Sequence, residues 1–584
     1  MISRALVLSI GLVSRVMGTT LADVDRQLLE SPYPYEFPVF PTGADATSGQ
    51  FPMPPCHGFP LEEATIDQLN RALARGELTS VQMVTCSLQR IRQTDEYISS
   101  VMEINPDVLE IAASLDRERQ AGQVRGPLHG IPFLVKDNIA TQDKMETTAG
   151  SWMLLGAVVP RDADVVRRLR GAGAVLLGHA GMSEWADMRS TLYSEGYSAR
   201  GGQCRSPYNL TMSPGGSSSG SATAIAANYA MFSLGTETDG SIISPAARNA
   251  VVGIKPTVGL TSRAGVIPES HNLDTVGCFA RTVRDATYCL DGIYGPDPRD
   301  NYTSLQQTPP TGYAPYLTTR SSLRGMSFGI PWRTFWQYAP PSQVAPLLAL
   351  IHLLEAAGAT IYNHTDLPSR ARLVNPASWD WDYGTKRGFA NESEYTVVKT
   401  DFYNDIAAYL AELHNTDIRS LADIMAYNVA NVGTEGGIPG VHPAFAGGQD
   451  GFEAAWQTGG GMDETYWQAW TFMRQAAREE GIDAALDRNG TRLTALLVPS
   501  DLGQVSNVAA QAGYPLITLP AGVSREAGLP FGLGLMGTAW SESVLVGAAS
   551  AIEDLQRHGG AAGELQRTAP KWYEWRAKNI PVLW

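Results

Sequence analysis

From residue 131 onward, short apolar runs of strand character alternate with helical stretches. This alternation constrains the fold more than any other feature of the chain. GIPFLVKDNI and GAGAVLLGHAG carry β-rich runs at 131–135 and 175–178, with a helical stretch, DADVVRRLRG, before the second. VVGIKPTVGL reads as a strand and a turn, FARTVRDATYCLDGIYG as an amphipathic helix, and SLRGMSFGIPW as a further strand. VAPLLALIHLLEAAGATIYNH is a helix followed by a strand. The rhythm returns in LTALLVPSDLG, AAQAGYPLITLPAGV and FGLGLMGTAWSESVLVGAASAIEDL. Before it, ATIDQLNRALARGELTSVQMVTCSLQRIRQTD has helical spacing with one glycine break. Residues 370–470 interrupt the pattern. They are rich in Trp, Tyr, Asn and Gly (NPASWDWDYGTKRGF, VGTEGGIPGVHPAFAGGQDGF) and read as an irregular insertion over the core. The expectation is one large α/β domain over residues 61–584, a sheet layered by helices, with an insertion at about 370–470.

The composition, 584 residues with 44% hydrophobic and 18% charged, suits a globular chain with a large core. A net charge of −15 counts against nucleic acid or an anionic membrane as partner, since both need clustered Lys and Arg. At the N-terminus, Arg4 precedes a short apolar run at 5–13, and Thr20-Leu21-Ala22 resembles a small-residue cleavage site. Residues 1–22 are therefore read as a signal peptide and the protein as secreted, with a cytoplasmic protein as the alternative. The run is too short to span a bilayer. Residues 23–60, rich in Pro and aromatics, read as an extended arm. Sequons begin at Asn209, Asn301, Asn363, Asn391 and Asn489, compatible with a glycoprotein. The five cysteines have no metal-like spacing; one or two disulfides or buried thiols are open readings.

One segment, PGGSSSGSATAIAANYAMFSLGTETDGS at 214–241, crowds hydroxyls onto tight turns with no histidine inside it. A flexible linker would not lead straight into a small-residue run that must be buried. A phosphate loop needs a lysine after its second glycine, and none follows Gly220. A hydrolytic site needs a nucleophile, a base and an oxyanion hole. TETDGSI offers a serine after a glycine, where adjacent backbone N–H groups can converge on one oxygen. The base can be a lysine made neutral by burial. Lys136, closing the apolar run GIPFLVKDN, is the candidate, and a surface pair with Asp137 is the open alternative.

GIPFLVKDNIAT, PGGSSSGSA, GTETDGSIISPAARNAVVGIKPTVGLTSRAGVIP and DTVGCFARTVRDATYCLDGIYGPDPRD together resemble the amidase signature family, in the family's order. The resemblance runs from about residue 62 to the C-terminus, apart from 370–470. It implies a mixed twisted β-sheet covered by helices and a Ser-Ser-Lys triad in place of Ser-His-Asp. By position, Lys136 is the base, Ser217 the bridging serine and Ser241 the nucleophile. The backbone N–H groups of Thr238, Asp239, Gly240 and Ser241 form the oxyanion hole. Where many family members read GTDTGGSIR, this chain reads GTETDGSII, the variant that resembles the peptide-amidase branch. Asp239 stands for a glycine, Glu237 for an aspartate and Ile243 for an arginine. The resemblance implies hydrolysis of a linear carboxamide, of a small molecule or a peptide, with no metal or organic cofactor.

Lys255 is read as structural, Cys204 as packing, and His179 and His271 as core or surface residues. Trp185 either lines the pocket or fills the core. Trp379, Trp381 and Tyr383 either wall the substrate site or pack the insertion onto the core. The rivals are an amidotransferase component on this fold, a fatty-acid-amide hydrolase, and a catalytically inactive binding protein. No basic amphipathic membrane-docking segment supports the second.

Overall fold

The computed structural model of the protein describes residues 50–488, 490–558 and 565–582. The expected signal peptide, most of the expected arm and Asn489 lie outside the described residues. The described end of the arm packs against the domain: Phe51 is buried between Tyr97, Trp572 and Trp575, with ring centroids 4.8, 5.1 and 5.7 Å away.

Eleven strands form one sheet. In chain order they are β1 (Val101–Ile104), β2 (Pro132–Lys136), β3 (Val175–Ala180), β4 (Phe232–Glu237), β5 (Val252–Lys255) and β6 (Thr275–Ala280). Then follow β7 (Ser327–Ile330), β8 (Thr360–Asn363), β9 (Ala495–Pro499), β10 (Leu516–Val523) and β11 (Pro530–Met536). Their order across the sheet is β1-β3-β2-β4-β6-β5-β10-β11-β9-β7-β8. The run β3-β2-β4 is parallel, as is β9-β7-β8, and the strands between pair antiparallel. The sheet is mixed, as the family resemblance implies. Every residue of β2, β3 and β4 is buried, because helices cover both faces there; β8, at the edge, keeps none buried. Phe133 and Phe232 stack across the β2–β4 pair at 5.3 Å.

Local signals set the helices. Ile66–Arg75 starts at a reciprocal Thr65–Gln68 cap and ends at Gly76, whose φ of +68° closes the helix in the left-handed region. Ser80–Ile98 repeats the device with Thr79 and Gln82. Two disulfides, Cys56–Cys86 and Cys278–Cys289, tie the arm to that helix and β6 to the helix Val283–Asp291; Cys204 is free and buried.

The expectation of an irregular segment at 370–470 is corrected: much of it is helical. Glu394–Glu412, Leu421–Ala430, Asp450–Gln457 and Glu464–Arg474 are helices. Gly-rich turns between them hide the helical period from a reading of the whole window. Their apolar faces meet, as where Phe402 stacks on Phe452 at 5.5 Å. Among the described residues, no helix is long and apolar enough to cross a membrane.

Candidate active site

Lys136 is the last residue of β2, and β4 beside it runs into the turn that carries Ser241. Both residues thus stand at the carboxyl ends of neighbouring parallel strands, where open α/β sheets place their reactive groups. Ser217 sits in the serine turn before the helix Ser219–Ala226, and Ser241 just before the helix Ile243–Arg248. The Gly216–Ser217 peptide is cis. A side chain at Gly216 would collide with the Glu195 carboxylate at 1.7 Å, so only glycine lets the serine turn pass. Gly240, at φ +84°, makes the turn before Ser241, a conformation that other residues reach only with strain.

The three side chains form a continuous chain. Lys136 Nζ is 2.7 Å from Ser217 Oγ, and Ser217 Oγ is 2.9 Å from Ser241 Oγ. All three are buried, with Lys136 and Ser217 at 0% exposure and Ser241 at 5%. The other hydroxyls of the segment hold the turn: Ser218 donates to Thr236 O at 3.0 Å and Ser221 to Leu234 O at 2.9 Å. Lys136 does not pair with Asp137. The Asp137 carboxylate meets His179 Nδ1 at 3.0 Å and accepts from Thr148 Oγ1 at 2.6 Å, which leaves the lysine without a carboxylate in hydrogen-bond reach among the described residues. Burial pushes the Lys136 amine down to about 8, against the opposing pull of Glu269, Asp187, Asp274 and Glu237.

Sequence reasoning gave no role to the side chains of several supporting groups. Thr236 Oγ1 accepts from Lys136 Nζ at 2.9 Å and from Asn138 Nδ2 at 3.0 Å, fixing the amine at the strand end. Thr238 Oγ1 reaches Glu269 Oε1 at 2.8 Å and Asp274 Oδ1 at 2.6 Å, anchoring the turn from outside. Glu237 Oε2 accepts from the Ile242 and Ile243 N–H groups at 2.6 and 2.9 Å, which pins the backbone immediately after Ser241. Thr236 and Glu237 lie inside the GTETDGS motif and Asp274 opens the motif DTVGCFAR; for Glu269 the sequence carries no comparable signal.

A cavity of about 230 Å³ opens on Ser241 and Gly240, lined also by Asp187, Asp239, Glu269, Trp379 and Trp381. Arg248, a cation on its wall, is paired with Asp501 at 2.8 Å. The Asp239 side chain turns to the wall: its Oδ2 accepts from Trp379 Nε1 at 2.6 Å and from Asn507 Nδ2 at 2.9 Å. Burial raises this carboxyl to about 7. Trp381 stacks on Tyr395 at 4.9 Å. Tyr383, grouped with the two tryptophans on sequence grounds, packs on Arg387 instead.

The residues read as structural have structural surroundings. Lys255 Nζ donates to Tyr514 O at 2.8 Å. Cys204 is buried and its thiol is pushed up to about 12, which keeps it from acting as a thiolate. His179 bridges Asp137 and Thr141, and His271 meets Asp405. Trp185 is a core residue, edge-on to Phe452 at 6.0 Å.

A lysine and two serines in contact at the strand ends of a mixed sheet, beside a cavity, form a hydrogen-bonded cluster with no histidine in it. Residues 82–428 match the Amidase family profile. A candidate amidase of Schizosaccharomyces pombe is 54% identical over 541 residues, 91% of this chain and 90% of the other. The crystal structure of native peptide amidase from Stenotrophomonas maltophilia has a TM-score of 0.76 at 40% identity, covering 88% of this chain and 99% of that one. A glutamyl-tRNA(Gln) amidotransferase of Symbiobacterium thermophilum is 42% identical in one of its subunits, but over only 52% of this chain and 60% of the other. The chain belongs to the amidase signature family, and its chemistry is hydrolysis of the amide C–N bond.

Proposed function

We propose that this amidase works through an acyl-enzyme on Ser241, with Ser217 as proton bridge and Lys136 as base. The observation that carries this is the unbroken 2.7 and 2.9 Å chain from amine to nucleophile. Neutral Lys136 draws the Ser217 proton as Ser217 takes that of Ser241, and Ser241 Oγ attacks the carbonyl carbon. In this reading backbone N–H groups of the turn 238–241 stabilise the charge that develops on the carbonyl oxygen. As the C–N bond breaks, the relay returns a proton to the leaving nitrogen. Water then enters by the same route and releases the carboxylate.

The substrate in this reading is a terminal or small carboxamide. Trp379 and Trp381 narrow the cavity, so a chain end enters more readily than a chain middle. The test offers one peptide as its C-terminal amide and as a version extended through that bond. Ammonia is expected from the first and no cleavage of the second; efficient internal cleavage would rule this substrate class out.

Secretion and glycosylation belong to the same proposal. Two disulfides suit an oxidising compartment. Asn301 and Asn363 are exposed, whereas the Asn209 amide is committed to Ala527 O at 3.0 Å. Expected is a culture-medium protein cleaved near Ala22, with glycan on Asn301 or Asn363 and none on Asn209. A cytosolic protein retaining Met1 and carrying no glycan would defeat it.

A further inference from the structure

A second cavity, of about 180 Å³, shares no lining residue with the one at Ser241. Its walls include Arg474, Arg478, Tyr302, Tyr514 and Trp540. Arg474 ends the helix Glu464–Arg474, and Arg478 follows one turn later within a π-helix, Gln475–Asp483. Such segments are rare and concentrate at functional sites.

Neither arginine has a carboxylate partner among the described residues. Of the acids in the same segment, Glu480 pairs with Arg372 and Asp483 with Arg492, while Glu479 is exposed. Arg478 donates through Nε to Ala512 O at 2.6 Å. Each guanidinium lies over a ring, Arg474 on Trp470 at 4.5 Å and Arg478 on Tyr514 at 5.4 Å. Ring stacking occupies a guanidinium's face and leaves its in-plane N–H groups to donate. The two neighbouring cations have acidic charges only at a distance, Asp401 for Arg474 and Asp483 for Arg478, with no ion pair to either among the described residues. This arrangement is costly: burial, and then the Arg474 charge, push Arg478 down to about 10.

A separate observation concerns the wall. Trp540 is held at φ +62°, a strained conformation for a bulky residue. Its N–H donates to Thr257 Oγ1 at 3.0 Å, and the Thr257 N–H donates in turn to Glu542 Oε1 at 2.7 Å. Strain of this kind clusters at active sites, ligand clamps and switch regions.

We propose that this cavity binds a small, flat carboxylate, its anionic head in the fork of Arg474 and Arg478 and its ring between Tyr302, Tyr514 and Trp540. The two guanidiniums match a carboxylate bidentately. The three rings distinguish this ligand from phosphate, which would satisfy the arginines and leave the aromatic walls unused. The volume falls below the roughly 300–1,000 Å³ of sites for drug-sized ligands and so selects a single-ring acid.

The test uses the full-length protein and two probes. Crystals soaked in 4-bromobenzoate should show the anomalous bromine peak beside Trp540. In calorimetry, benzoate should bind, and R474Q or R478Q should weaken it about tenfold or more, the loss of a charge-assisted pair. Inorganic phosphate should bind at least about tenfold more weakly. Three results would each overturn the proposal: bromine only in the Ser241 cavity, unchanged benzoate affinity in both folded variants, or phosphate binding as tight as benzoate. If R478Q does not fold, R474Q and the soaked crystal still decide.

Discussion

Ser241→Ala abolishes amide hydrolysis, by at least about 10⁴-fold in kcat, without unfolding the protein. Ser241 Oγ is the only oxygen in the relay that also lines the substrate cavity. Ser217, at 0% exposure between its two partners, has no open side from which to attack a carbonyl. A fluorophosphonate probe followed by peptide mass spectrometry should place the adduct on the peptide containing Ser241 in the native chain and nowhere in the variant. An adduct confined to Ser217, or to Cys204, would overturn the assignment. Melting curves of the variant should overlay those of the parent, since the lost hydroxyl accepts one hydrogen bond from Ser217 and supports no core packing.

Lys136→Ala costs about a thousandfold or more in rate, because it removes the base and leaves Ser217 with no acceptor for its proton. The native pH profile carries the sign of the mechanism. Burial lowers the Lys136 amine to about 8, from the ordinary lysine value of about 10.4. The neutral amine is the working form, so activity rises with pH through about 8 and falls away below it. The same shift acts on stability. Between about 8 and about 10.4 the unfolded chain binds the extra proton, so this group's contribution to stability increases with pH across that window and is smallest below it. Lys255 is also lowered to about 8 by burial, so the profile needs a control. Lys255→Gln should keep the midpoint near 8, because Lys255 binds Tyr514 O and lies outside the relay. Near-normal turnover in Lys136→Ala, or a midpoint that moves only with Lys255, would refute the role given to Lys136.

The strand and helix alternation was legible because each element carries its own signal. The helix starts at Thr65 and Thr79 have cap and partner three residues apart, and the stop at Gly76 is a single residue. The largely apolar runs of β2 and β3 announce strands buried on both faces. Lys136, Ser217 and Ser241 were singled out through motifs that resemble those of the amidase signature family, and the fold brings the three side chains into contact.

What the sequence by itself determined is therefore what depends on neighbours in the chain: the α/β class, the caps, the glycines of the two turns, and three reactive side chains of the right type. Only the tertiary structure decided what depends on residues far apart. It separated Lys136 from Asp137 by giving the carboxylate His179 and Thr148, and brought Trp379, 140 positions away, onto Asp239. It joined Cys56 to Cys86 and Cys278 to Cys289, leaving Cys204 alone. It turned much of 370–470 into helices that find their apolar partners in one another, and set Arg474 and Arg478 on one cavity wall with no ion pair among the described residues. Side-chain burial and charge pairing are set by whichever segments pack together. Those meetings are chosen by the energy of the whole core, and no local stretch of sequence encodes them.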